Sequence, residues 1–375
     1  MTFRFLHTAD WQIGKPFGNI PGDAGAELRS QRVRTVEKLA QIATERTLDA
    51  VLVAGDVFDS NEVEERTIDR LLNAMRGFSG PWLLLPGNHD AALSHSVWTR
   101  LRQRAPTPNI VIADKPEPIA LWGNRAVVFP APLRRRRESH DQTKWFDTAG
   151  APEGAVRVGL AHGTLPGRLP PGAEAGNPIA EDRVQTARLD YLALGDWHGA
   201  RKVADRTWYS GTPETDRHRD NDSGHALIVE LDAPGSKERV KSIATGAFAW
   251  HRLVVEVVDG QADAVLHTLQ HLPSEPARSV VALQVAGSIS LAERHRLDTL
   301  LADWQARLHH LDADLTRLIE DPTDEDLDSL DGSGFVRLAV DRLKTMAEDD
   351  SNPSAGAARI ALRMLYIDHM RAGGA

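Results

Sequence analysis

Five short stretches place oxygen and nitrogen donors where they could hold a metal ion and move a proton. They are "TADWQIG" with Asp10 and Gln12, "GDVFD" with Asp56, "GNHD" with Asn88 and His89, "AHG" with His162, and "GDWHG" with Asp196 and His198. Carboxylates neutralise and bridge cations, imidazole is a strong neutral donor, and a histidine beside a metal can supply a proton. Taken singly, none of these stretches implies a site, because an Asp or Asn after an apolar run is commonly a turn or a helix cap. Taken in series they do, since each follows directly on a strand-like run.

The elements that must position them can be read from apolar periodicity. Residues 3–6 form an apolar run, and in a strand Asp10 and Gln12, two apart, leave on the same face. The runs "DAVLVAGD", "PWLLLPGN", "VRVGLAHG" and "DYLALGD" are continuously apolar and of strand length. Such runs predict strands buried on both faces, hence a layered α/β sheet. Between them, residues 28–47 (Val33, Val36, Leu39, Ile42, Ala43) and the group Ile68, Leu71, Leu72 and Met75 have helical spacing. Loops at the carboxyl ends of strands form the ligand crevice of open α/β sheets, so five distant loops are expected to meet there. From residue 207 to about 246, "TWYSG", "HALIVELD" and "VKSIATG" read as shorter strands completing a second sheet.

Composition narrows the chemistry. The chain has 375 residues, 41% hydrophobic and 26% charged, ordinary for a globular protein with one large domain and smaller additions. With no cysteine, disulfides, thiolate nucleophiles, iron–sulfur clusters and sulfur-rich zinc sites are excluded. A metal would be held by nitrogen and oxygen alone. The net charge of −9 gives no global signature for nucleic acid or anionic membrane, though it leaves room for a local basic groove. No signal-peptide core or membrane-length apolar run is evident, and a cytoplasmic protein is the expectation. One basic run stands out, Arg134, Arg135, Arg136 and Arg137 in "PLRRRRESH", which could contact phosphates in a sequence-independent way.

In order and spacing, the five stretches resemble the calcineurin-like metallophosphoesterases, whose pattern is D-x-H, G-D-x-x-D, G-N-H-D/E, a lone His and G-H-x-H. Within that superfamily the chain is most similar to SbcD-type DNA exonucleases, through "FLHTADW" and "YLALGDWHG" followed by "WYSGTPE". The resemblance implies two divalent metal ions bridged by Asp56. The first would use Asp10, Gln12, Asp56 and His198; the second would use Asp56, Asn88, His162 and Asp196. His89 would protonate the leaving oxygen, with Asp59 or Asp90 to orient it. Two positions depart from the family pattern: Gln12 stands for a His, and Asp196 for the first His of G-H-x-H. The substitutions enrich the site in oxygen, which favours manganese, with magnesium possible, over zinc, and a neutral amide should hold the first metal less tightly.

The fold expected is a four-layer α/β/β/α metallophosphoesterase sandwich over residues 1–246, carrying the nuclease site. Residues 247–320 read as a small α/β capping domain, 321–334 as an acidic linker, and 335–375 as a C-terminal helical tail. In the tail, Phe335, Leu338, Leu343 and Met346, then Leu362, Leu365, Tyr366 and Met370, form apolar stripes suited to an ATPase coiled coil or to the cap itself. By resemblance the protein is a homodimer acting on DNA, as exonuclease or single-strand endonuclease, joined to an SMC-like ABC ATPase through the cap or the C-terminal helices. Two rivals are a phosphodiesterase for small phosphoesters or cyclic nucleotides, and a catalytically weakened DNA-binding or scaffold subunit.

Overall fold

The computed structural model describes residues 2–104, 107–168, 176–219, 221–260, 262–320, 335–349 and 351–373. The acidic stretch at 321–334 lies outside the described residues. The chain divides into two compact units, Met1–Phe248 and Ala249–Ala375.

In the first unit, β1 (Phe3–Thr8), β2 (Ala50–Val53), β3 (Trp82–Leu84) and β4 (Ile110–Ile112) run parallel. A second sheet holds β5 (Ile119–Leu121), β6 (Ala126–Ala131), β7 (Val156–His162), β8 (Tyr191–Gly195), β9 (Arg201–Ala204) and β10 (Thr207–Tyr209), with β6, β7, β8 and β10 parallel. The chain then returns: β11 (His225–Leu231) pairs antiparallel with β1, and β12 (Arg239–Ala244) closes that edge. The later short strands are therefore split between the sheets. "TWYSG" completes the second, while "HALIVELD" and "VKSIATG" extend the first.

The alternation of side chains shows why two sheets stack. From β1 and β2, Phe3, Phe5, Ala50 and Leu52 pack with Val128, Val158, Leu160 and Tyr191 of the second sheet. The intervening Leu6, Val51 and Val53 pack instead with Val36, Leu39 and Ala43 of helix α1 (Gly22–Glu45) and Ile68 and Leu71 of α2 (Glu65–Met75). A strand of period two that is apolar at every position must be covered on both faces. On the outer face of the second sheet, Phe129, Ala161, Leu192 and Leu194 are covered by Phe146 and Val184 from short turns of helix, Lys144–Asp147 and Arg183–Thr186. The result is the α/β/β/α sandwich, with one helical layer much thinner than the other.

The second unit is a three-stranded parallel sheet, β13 (Ala249–Gly260), β14 (Ser279–Ile289) and β15 (His310–Glu320). Its core joins Val255, Val257, Leu283 and Val285 to Leu297, Leu301 and Trp304 of the helix Leu291–Arg307. Two C-terminal helices, Phe335–Glu348 and Ala355–Gly373, bury Val340, Ala347, Leu362 and Tyr366 with Leu291. Arg363 reaches Glu320 at 3.0 Å and Asp298 at 2.5 Å, tying the last helix to this unit. The apolar stripe expected on the first of these helices is only half right. Leu343 and Met346 are partly buried, but Phe335 and Leu338 are 82% and 71% exposed, and Val340 and Ala347 are buried instead. On the last helix Leu362, Leu365 and Tyr366 do pack inward; the Met370 side chain is not among those described.

Candidate metal centre

Every stretch singled out for chemistry sits where a parallel strand ends. Asp10 and Gln12 follow β1, Asp56 and Asp59 follow β2, Asn88 and His89 follow β3, His162 is the last residue of β7, and Asp196 and His198 follow β8. Since β1 to β3 lie in one sheet and β7 and β8 in the other, the site is built from both. Their ends are stitched by hydrogen bonds: the Asp10 amide to the Gly55 carbonyl at 3.0 Å, the Asp196 amide to the Asp10 carboxylate at 3.2 Å, and His162 Nδ1 to the Ala54 carbonyl at 2.8 Å.

The backbone is forced at this point. Asp10 (φ 53°), Gln12 (φ 42°), Asp56 (φ 53°) and Asp196 (φ 101°) all take positive φ. That region is costly for residues with a Cβ and clusters at functional sites. Two glycines pack where nothing larger fits. A Cβ on Gly55 would lie 2.2 Å from His162 Nδ1, and one on Gly87 would lie 2.2 Å from Asp56 Oδ1.

Asp10, Asp56 and His162 are buried and offer ligand atoms that all lie within 4.8 Å of one another. A carbonyl can only accept, so His162 Nδ1 carries a proton and Nε2 is the ring nitrogen turned to the cluster. Facing Nε2 are Asn88 Oδ1 at 3.1 Å, Asp56 Oδ1 at 3.5 Å and Asp196 Oδ1 at 3.7 Å. Carboxylate oxygens converging on a buried imidazole require a cation, either a metal ion or an added proton on the ring. The electrostatics agree. Burial pushes Asp10 up to about 6 despite the nearby His198 and His162, and pushes Asp196 up as well. At His162, burial acts downward, but the charges of Asp56, Asp10 and Asp196 prevail and lift it to about 9. Such a centre suits a divalent ion, whose charge would release those protons.

His89 lies beside this cluster. Its amide donates to Asp56 Oδ1 at 2.9 Å, and its Nδ1 donates to the main-chain carbonyl of Asp59 at 2.9 Å, leaving Nε2 available. The acids offered as orienting groups are thus placed differently from expectation. Asp59 acts through its backbone, not its carboxylate. The buried Asp90 carboxylate accepts the Gly87 and Phe58 amides at 2.7 and 2.9 Å and makes no contact with the His89 ring among the described hydrogen bonds. It locks the "GNHD" turn onto the loop after β2, and burial beside Asp56 raises it to about 8.

The other half of the expected constellation is engaged elsewhere. Gln12 Oε1 accepts from Lys15 Nζ at 3.0 Å, and His198 Nδ1 donates to Asp216 Oδ1 at 3.2 Å. His198 is not a member of the cluster of Asp10, Asp56 and His162, although its charge acts on Asp10. The four arginines are exposed, yet anchored nearby: the buried Asn177 accepts the Glu138 amide at 2.7 Å and donates to the Arg136 carbonyl at 3.3 Å. The Asn177 carbonyl accepts the Thr164 amide at 3.1 Å, and Thr164 Oγ1 donates to Asp196 Oδ2 at 2.9 Å. Arg137, Thr164 and Asn177 line a cleft of 270 Å³ along this path.

Sequence reading missed Arg32. It is buried on α1 and donates to the Asp10 carbonyl at 2.9 Å, the Trp11 carbonyl at 2.6 Å, the Glu214 carbonyl at 3.1 Å and Thr212 Oγ1 at 3.1 Å. An arginine on the same helical face as Val36 and Leu39 was the available signal. Trp11 is core, edge-on to Trp82.

Comparison with known proteins agrees with this geometry. The sequence pattern of the calcineurin-like phosphoesterase family matches residues 3–200. The DNA double-strand break repair protein Mre11 of Methanosarcina acetivorans is 23% identical over 303 residues, covering 76% of this chain and 46% of that protein. The chain therefore spans about half the length of that relative. A subunit of the nuclease SbcCD from Bacillus subtilis is 25% identical over 333 residues, covering 78% of this chain and 82% of that protein. The corresponding SbcCD subunit of Rhodobacter capsulatus is 35% identical over 94 residues, covering 24% of this chain and 22% of that protein.

Proposed function

The chain belongs to the calcineurin-like phosphoesterase family, and from that membership we propose that it is a metal-dependent phosphodiesterase acting on DNA. The observation that carries this reading is the convergence of His162 Nε2 with the oxygens of Asn88, Asp56 and Asp196 beside the buried Asp10. Asp10, Asp56, Asn88, His162 and Asp196 would hold the metal. An oxygen-rich set favours manganese. When bound, the ion supplies Lewis acidity to the phosphoryl group and a water acidic enough to attack.

The residues of the chain do the rest. Asp10 and Asp56 fix the floor of the site, their carboxylates held by the Asp196 and His89 amides. As the attacking oxygen bonds to phosphorus and the ester P–O bond breaks, the leaving oxygen takes the proton of His89 Nε2. The Asp59 carbonyl on Nδ1 orients that ring. Arg134, Arg135, Arg136 and Arg137, on a loop tethered to Asp196 through Asn177 and Thr164, would bind flanking backbone phosphates. DNA is favoured over a small phosphoester because a basic loop beside an open cleft suits a polyanion. One relative named as a DNA double-strand break repair protein and another named as a nuclease subunit support the same substrate. Assembly as a homodimer with an SMC-like ATPase belongs to this proposal. The exposed Phe335, Leu338, Ile360 and Met364 of the C-terminal helices support it.

Manganese-dependent cleavage of end-labelled linear DNA, run beside Asp56→Asn, His89→Ala and a chromogenic phosphodiester, tests the reading. Asp56→Asn should lower kcat/KM by about a thousandfold or more, equivalent to about 4 kcal/mol. His89→Ala should cost about 10²–10⁴-fold while metal content stays unchanged. Cleavage of the small diester with DNA left intact would remove DNA as substrate.

A further inference from the structure

Two of the four first-metal donors implied by the family pattern, Gln12 and His198, are already engaged by cations of the chain itself. Lys15 Nζ sits 3.0 Å from Gln12 Oε1 and 2.6 Å from Asp216 Oδ2. Arg217 grips the same carboxylate with Nε at 3.0 Å from Oδ1 and a terminal nitrogen at 3.1 Å from Oδ2. The other terminal contact of that nitrogen is His198 Nε2, at 3.5 Å. The Asp216 side chain is only 1% exposed. Its carboxylate offers about four lone-pair sites, and His198 Nδ1, Lys15 and the two Arg217 nitrogens take them all. Asp216 is therefore an anchor with nothing left for a metal.

The loop is shaped for this. Gly14 takes φ 97°, and the Lys15 amide donates back to the Gln12 carbonyl at 3.1 Å, folding Lys15 under the Gln12 amide. An imidazole at position 12 could not accept an ammonium and a metal on one nitrogen. A neutral amide oxygen accepts an ammonium readily and a dication poorly. Gln12 and Lys15 thus form a matched pair, and Arg217 closes the side of His198 that a metal would need. A dication placed against an ammonium and a guanidinium would be repelled by both.

We infer that Lys15 and Arg217, anchored on Asp216, take the place of a second divalent cation, so that the centre holds one metal ion per chain at Asp10, Asp56, Asn88, His162 and Asp196. The inference rests on the phosphoesterase reading and departs from a two-metal centre at this one point. It gives the Gln12 departure a physical meaning: the charge of the lost metal is supplied by side chains that need not be loaded from solution.

The test is a manganese titration of the full chain without substrate, read by elemental analysis after dialysis and by electron paramagnetic resonance. The wild type should bind one manganese per chain with an uncoupled signal. The variant Gln12→His/Lys15→Met/Arg217→Met should bind two, with the spin-coupled signal of a close pair. Should that variant not fold, Lys15→Met alone should admit a second, weaker manganese. Two coupled ions in the wild type would overturn the inference, as would a folded triple variant that still binds one. Failure of the wild type to cut DNA while holding one manganese would count against the nuclease reading and leave the stoichiometry standing.

Discussion

Both units of this protein contain a parallel sheet crossed by helices, and only one of them carries a polar centre. In the first, buried side chains include Asp10, Gln12, Arg32, Asp56, Asp90, His162, Glu214 and Asp216; among the described residues of the second, Ser279 is the one buried polar side chain. All the non-glycine residues at positive φ that the structure describes belong to the first unit. A parallel sheet with open carboxyl ends is therefore not enough to make a site. What differs is that two sheets end at the same place, so turns from each can press charged groups together. The strain and desolvation this entails are tolerated because hydrogen bonds across the sheets over-determine every member. The second unit is held by apolar burial and by ion pairs such as Arg294 and Arg363 on Glu320.

The contrast can be broken at its narrowest point. Gly55→Ala would drive a methyl group into His162 and force a non-glycine residue to φ 93°. Metal binding should be lost altogether, read by calorimetric titration, although no proposed ligand has been altered. Retained affinity would mean that the crowding around His162 is not what fixes the centre.

Next in size is Arg32→Met, which keeps the helix and removes donors from the Asp10, Trp11 and Glu214 carbonyls. Leaving the Trp11 carbonyl unpaired, and the Asp10 and Glu214 carbonyls to share the Thr212 hydroxyl, should cost about 3 kcal/mol in urea unfolding and weaken metal affinity together with stability. A loss of stability with metal affinity untouched would separate the loop from its support.

Smaller effects should come from the second unit. Leu362→Ala empties a fully buried position among Leu291, Val340 and Tyr366 and should cost about 2–4 kcal/mol. Leu338→Ser, on the exposed side of the same helical pair, should change stability by no more than about 0.5 kcal/mol. Metal affinity should be unchanged in both, and a change in either would show the two units to be coupled.

Much of the first unit was legible from its residues. Continuous apolar runs at "AVLV" and "VGLA" could only be strands covered twice, and the Gly–polar pairs that end them fixed which ends would be chemical. The loss was in facing and in partners. The helix Phe335–Glu348 has enough apolar residues for two stripes, and nothing local says that Val340 rather than Leu338 is buried. At Asp59 the sequence shows a carboxylate, but the group that meets His89 is the backbone carbonyl, which every residue has.

By itself, then, the sequence determined the strand ends, the donor types and the exclusion of sulfur, because period and composition are properties of neighbouring residues. Only the tertiary structure decided that Lys15 and Arg217 would share Asp216, some 200 residues from Lys15 along the chain, and that Arg32 would reach across to Glu214. Those pairings exist because stacking two sheets encloses their loops at low dielectric, where a charge without a partner is expelled and one with a partner is held in place.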